Sequence, residues 1–142
     1  MEAQVTGKSD GPVVSIEQGV ELPGAPSAVF DALMNEELHA EFTGSAAAID
    51  ARVGGRMSAW EGYIEGVFLE LERPERIVQT WRTSEWPAGY ADSKLEITLE
   101  PASGGTLLTM VHSCVPRDQA PDYEQGWWDS YWTPLRSYLG SE

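Results

Sequence analysis

Two hydrophobic rhythms alternate along the chain, and the changeovers divide it. From Val13 to Leu22, "VVSIEQGVEL", apolar and polar residues trade places closely enough to predict a strand. "PGAPSAVFDALM" switches to helical spacing: Pro26 and Ser27 can open a helix, and Ala28, Val29, Ala32 and Leu33 give it one apolar stripe. A short second helix fits "EELHAEF", Glu36 to Phe42, and "TGSA" breaks it. From Ala46 to Val115 the period shortens again, through "AAAIDARV", "RMSAWEGYI", "EGVFLELER", "RIVQTWR", "KLEITLE" and "TLLTMVHSCV". The fifth segment is the clearest strand, with Leu95, Ile97 and Leu99 facing one way and Glu96, Thr98 and Glu100 the other. Turn residues at or near the joints make the connections short, so neighbouring strands run antiparallel. The tail, Tyr123 to Leu139, spaces Trp127 or Trp128, Tyr131, Leu135, and Tyr138 or Leu139 three or four apart, as one face of a long helix requires. Asp118 and Asp122 lie near its start, where acids suit the helix dipole, and Pro134 should bend or loosen it.

The order is strand, helical pair, six strands, long amphipathic helix. A meander with one apolar face and a single long helix closes economically when the sheet curls around that helix. The expectation is an α+β fold, a curved antiparallel sheet of about seven strands gripping the C-terminal helix. Residues 1–12 read as a flexible leader and 13–142 as one domain.

"GGRMSAWEGYIEG", Gly54 to Gly66, invites a phosphate-loop reading, which its context opposes. No Lys-Ser or Lys-Thr follows the glycines, and they lie among strands rather than before a helix. Within strands, glycine marks bulges, bends and close backbone approach, which a curling sheet needs.

Composition narrows the function. The chain has 142 residues, enough for one ordinary domain with a real core, and its 42% hydrophobic and 23% charged content suits a soluble globular protein. No apolar run is long enough for a membrane span, and the N-terminus lacks the features of a signal peptide. One cysteine, Cys114, excludes an internal disulfide and fits a reducing compartment, with cytoplasm the default. Net charge is −14, which repels nucleic acid and anionic membrane and attracts a basic partner patch.

Four phrases carry a family resemblance: "VGGRMSAWEGYIEGVFLELERPERIVQTWR", "SEWPAGYADSKLEITLEP", "GGTLLTMVHSCVP" and "GWWDSYWTPLRSYL". In that order, over residues 15 to 139, they resemble the activator of heat-shock-protein-90 ATPase homologue family of the START-like (SRPBCC, helix-grip) superfamily. The resemblance implies an elongated cavity between the curved sheet and the C-terminal helix, where relatives bind hydrophobic small molecules. It also implies a possible chaperone partner. The eukaryotic co-chaperone that names the family carries a separate N-terminal domain for chaperone binding, whereas about a dozen leader residues precede the first strand here. Some START-like relatives are cyclases or hydrolases, so an enzyme using the same cavity is a further alternative.

Six tryptophans and five tyrosines supply large apolar area with polar tips, which can fill a core or line a pocket. Trp81 on a strand should face Trp127 and Tyr131 on the helix. His112 and Cys114, two apart on one strand, should share a face with Met110 and Leu108. His112 is then a buried polar fixture of the cavity, titrating near neutral pH, or an acid–base residue if the cavity is catalytic. The candidate ligand-binding residues are Met57, Trp60, Trp81, Met110, His112, Trp127 and Tyr131. Arg82 or Arg56 could turn inward to clamp a ligand carboxylate. No metal set, nucleotide motif or nucleophile with base and orienter is present, so no cofactor is expected. An exposed outer strand or spare tryptophans could support a homodimer.

Overall fold

The computed structural model describes residues 12–140. The expected leader falls almost wholly outside them. Strand β1 (Val13–Pro23) leads into helices α1 (Pro26–Met34) and α2 (Glu36–Thr43). Then follow β2 (Ala47–Ile49), β3 (Arg56–Ala59), β4 (Ile64–Glu72), β5 (Arg76–Thr83), β6 (Ser93–Ala102) and β7 (Gly105–Pro116). The C-terminal helix α3 covers 120–140, α-helical over Ala120–Gly126, π-helical over Trp127–Trp132 and α-helical again over Thr133–Gly140. All strand pairs are antiparallel, in the order β1-β7-β6-β5-β4-β3-β2. The meander predicted from strand spacing is therefore the sheet, with β1 returned to its far edge beside β7. No helix among the described residues is long and apolar enough to cross a membrane.

Each element follows from local chemistry. Pro26 opens α1, where its missing N–H costs nothing. Asn35 caps α2 by accepting from the N–H groups of Glu37 and Leu38, and Gly44 closes that helix in the left-handed conformation. In β6, Leu95, Ile97 and Leu99 are buried while Glu100 is exposed, as alternation requires. The glycines do the structural work expected of them. A Cβ on Gly66 would strike the carbonyl of Thr80 on the next strand, and one on Gly55 the carbonyl of Asp50.

Two expectations need correcting. "RMSAWEGYI" is not one strand: β3 stops at Ala59, and Trp60, Glu61 and Gly62 all have positive φ, 56°, 58° and 88°, in a tight hairpin turn. Nor do His112 and Cys114 share a face. The β1–β7 register slips between Val14 and Ile16, and Cys114 takes φ 63° at the irregularity. One extra residue flips the alternation, so His112 is fully buried and Cys114 is exposed.

The helix is held to the sheet by a buried polar chain. The indole N–H of Trp127 donates to His112 Nδ1 at 3.2 Å. Since Nδ1 accepts, the proton sits on Nε2, which donates to Ser93 Oγ at 2.8 Å; Ser93 in turn donates to the Trp81 carbonyl at 2.7 Å. Burial holds the His112 pKa down at about 3, so the imidazole is neutral. Five residues on, the Trp132 indole donates to Gln18 Oε1 at 2.7 Å, and Gln18 donates to the Glu124 carbonyl at 2.9 Å, tying the helix to β1.

This chain has a pH signature. An unfolded histidine takes a proton near pH 6.5, and folded His112 refuses it down to about 3. The stability due to neutral His112 is thus whole above pH 6.5 and drains below it, by about 1.4 kcal/mol per pH unit. Comparing parent with His112→Gln by denaturant unfolding cancels the carboxylate background. The parent should be more stable at pH 7 by roughly 2–4 kcal/mol, and its lead should shrink steadily toward pH 4; a lead constant over that range contradicts a neutral buried His112.

Candidate functional site

Between the first half of α3 and the β3–β4 hairpin lies a cavity of about 490 Å³. Its inner wall is aromatic. Trp81 on β5 and Trp127 on α3 lie 5.7 Å apart between ring centroids, with Tyr123 edge-on to Trp81 at 5.2 Å and Tyr131 at 5.0 Å from Trp127. Trp60 and Tyr63 from the hairpin and Ile64 from β4 close the opposite side. Gly126 and Ser130 supply the small positions on the helix that leave the space open. A second, much smaller hollow of about 30 Å³ lies deeper, between Met57 on β3, Phe68, Leu95 and the rings of Trp81, Trp127 and Tyr131. The sheet and helix are packed nearly shut there.

Two local irregularities shape this wall. Pro134 lacks the N–H that would reach the Ser130 carbonyl, and its ring would crowd that oxygen in a regular helix. The turn before it widens instead, with the Thr133 N–H reaching back five residues to the Trp128 carbonyl. That extra residue per turn brings Trp127, Tyr131 and Trp132 all to the buried side. The second irregularity is the Trp60–Glu61 turn. Left-handed backbone at non-glycine residues costs of order 1–2 kcal/mol each, and here it aims the Trp60 indole at the cavity and against the core.

The polar groups of the walls are largely engaged with one another. Tyr131 donates to His39 Nε2 at 3.0 Å, and His39 Nδ1 donates to the Leu33 carbonyl at 3.1 Å. Burial lowers the His39 pKa and raises that of the Tyr131 hydroxyl, the latter partly offset by the Trp60 indole. At the mouth, Thr83 Oγ1 lies 2.7 Å from the Tyr123 hydroxyl, which donates to Gln119 Oε1 at 3.0 Å. Gln119 Nε2 donates to the Glu85 carbonyl at 2.8 Å, and Tyr63 donates to the Glu85 carboxylate at 2.9 Å. Partial burial and the bond to Glu85 push the Tyr63 pKa up to about 12. Asp122 is the other acid in the lining, in the first turn of α3.

Of the seven candidates from sequence, Trp60, Trp81, Trp127 and Tyr131 line the main cavity and Met57 only the small hollow. Met110 and His112 line neither, although both are buried on the inner face of β7. His112 stands one layer behind the wall, edge-on to Trp81 at 4.6 Å and to Trp127 at 5.7 Å. With both nitrogens committed it is the attachment of the wall, not an acid–base group facing the cavity. The inward arginine is absent too: Arg82 pairs with Asp92 at 2.5 Å, and Arg56 is exposed on β3. Sequence reasoning missed Tyr63, Glu85, Gln119 and Tyr123. Of these, Tyr123 had a usable signal, since it sits four residues before Trp127 on the same helical face.

Comparison with known proteins agrees with the fold. The profile of the family described as Activator of Hsp90 ATPase homolog 1-like protein matches residues 24–140. An uncharacterised Schizosaccharomyces pombe protein is 33% identical over 120 residues, which is 78% of this chain and 35% of that one. The mouse activator of 90 kDa heat shock protein ATPase homolog 1 is 27% identical over 116 residues, 82% of this chain and 34% of its own. The chain thus spans about a third of the length of these curated relatives. The crystal structure of an HSP90 activator from Plasmodium falciparum superposes with TM-score 0.81 at 24% identity, covering 89% of this chain and 96% of that one. A Chromobacterium violaceum protein superposes at 0.72 with 26% identity, covering 89% and 97%. With the profile running from the start of α1 to the end of α3, over a seven-stranded sheet and its gripped helix, the chain belongs to the Activator of Hsp90 ATPase homolog 1-like family of START-like proteins.

Proposed function

We propose that this domain binds a small, mostly apolar ligand in the cavity between the β3–β4 hairpin, β5 and the C-terminal helix. The observation that carries the reading is the cavity itself. At about 490 Å³ it falls within the size range of ligand sites. Its aromatic walls are fixed from behind by bonds that a ligand need not break, so the site is formed before anything enters. A strained turn and a π turn both border it, and such irregularities concentrate at functional sites. A second reading, a chaperone-interaction module, is favoured by the mouse relative, an activator of a heat-shock ATPase by name. The acidic surface, net −14, would then meet a basic patch on the chaperone.

Gly126 allows a direct test of the first reading. It lines the cavity, and a Cβ there meets nothing within 4 Å. Gly126→Leu should fill the space without disturbing the helix, and replacing an interior helical glycine should cost no stability. The neutral dye N-phenyl-1-naphthylamine should brighten and quench tryptophan emission with the parent and do neither with Gly126→Leu, while the melting temperature stays level or rises. Equal dye binding by both proteins would place the dye elsewhere and reject the cavity reading. For the second reading, the chain should bind purified Hsp90 in a salt-sensitive manner and raise its ATP turnover; unchanged turnover removes it.

A further inference from the structure

The chemistry of the lining narrows the ligand class, on the premise that the cavity reading holds. Six of the twelve lining residues carry aromatic rings, and none is lysine or arginine. The two charged residues are carboxylates, Glu85 and Asp122, both exposed at the mouth. Tyr123 lies between their elements; burial is the main cause that raises the pKa of its hydroxyl, and the two charges add to it. The hydrogen-bond donors of the wall are mostly spent. The Trp127 N–H goes to His112, the Tyr131 hydroxyl to His39, the Tyr123 hydroxyl to Gln119 and the Tyr63 hydroxyl to Glu85. The Trp60 indole is engaged with the Tyr131 hydroxyl, and the Trp81 indole and the Ser130 hydroxyl are neutral donors outside that set. Beyond those two neutral donors, what the cavity offers is π faces, oxygen acceptors and negative charge.

We propose that the cavity selects organic cations, with an ammonium head held at the mouth by Glu85, Asp122 and the rings of Trp60, Tyr63 and Tyr123, and an apolar tail laid against Trp81 and Trp127. Aromatic faces attract such a head through their quadrupoles, by about 0.5–1 kcal/mol at exposed sites and about 2 when desolvated. A quaternary ammonium asks for no hydrogen-bond acceptor, so it loses little on leaving water for rings. The N-terminus of α3 opposes this with roughly half a positive charge, which the full negative charge of Asp122 in its first turn outweighs. The net charge of −14 adds long-range attraction for cations and repels anionic amphiphiles.

The test uses three eight-carbon compounds with one shared tail: octyltrimethylammonium, 1-octanol and octanoate. Each is titrated at neutral pH and about 0.15 M salt, where diffuse charge is screened beyond roughly 8 Å, with tryptophan emission as the readout. The cation should bind about tenfold more tightly than the alcohol, as roughly 1.4 kcal/mol of head-group attraction implies, and octanoate least. Glu85→Gln with Asp122→Asn should bring the cation down to the alcohol's affinity and leave the alcohol unchanged. Glu100→Gln, on exposed β6 surface away from the cavity, should alter neither. An alcohol that matches the cation overturns the proposal, as does a loss with Glu100→Gln equal to that of the mouth pair. If N-phenyl-1-naphthylamine still binds the parent and not Gly126→Leu, the cavity reading survives that failure. A protein that binds none of the four compounds loses both.

Discussion

The arrangement depends on one uncharged imidazole. His112 sits with no solvent exposure between the sheet and the helix, accepting from one indole and donating to a serine that is bonded to the carbonyl of another tryptophan. A buried donor or acceptor without a partner costs about 1–3 kcal/mol, so four groups are satisfied together or not at all. Because the N–H of Trp127 points back to His112, its ring is fixed as a wall. The same bonds set where the helix lies against β5 and β7, and hence how far the hairpin must reach to cover it.

The other features adjust to that setting. Were α3 regular, Pro134 would clash one turn back and the buried aromatic side would drift round the helix. The π turn absorbs the proline and adds Trp132 to the inner side, where it stacks on Trp127 at 5.2 Å and bonds Gln18 on β1. The helix is thus fastened at both edges of the same residue run. The aromatic mass fills the deep end and leaves the space beside Gly126 and Ser130 open. The hairpin meets it with the only two adjacent non-glycine residues of positive φ among the described residues, Trp60 and Glu61. Their strain is offset by placing an indole at the cavity edge and against the core.

Much of this was legible in the chain, for identifiable reasons. Period-two stretches such as "LEITLE" announced buried and exposed faces because a strand has no other way to sort its side chains. The order of elements left one economical closure, and four phrases pointed to the family whose profile covers residues 24–140. What escaped depended on single-residue irregularities. The bulge at Cys114 reversed its face, the turn at Trp60 split a strand, and the π turn put Trp132 into a core stripe drawn at regular helical spacing. Local pattern cannot locate an inserted residue, because the tertiary contacts that repay it are distant in sequence. The rim was missed for a related reason: Glu85 and Gln119 are loop and helix-edge residues joined by one bond across 34 positions.

Family membership gives the fold, and the lining of the cavity supports the proposed ligand reading. Aromatic walls with carboxylates at the mouth and no lysine or arginine make an anionic ligand a poor match, and the acidic surface strengthens that bias. All of it rests on the wall staying where His112 holds it. The most direct measurement is the imidazole nitrogen spectrum of ¹⁵N-histidine protein from pH 7 down to 4. The account predicts one histidine fixed throughout as the neutral form protonated on Nε2, with Nδ1 accepting from an indole. Two histidines that both titrate near pH 6.5 would contradict it.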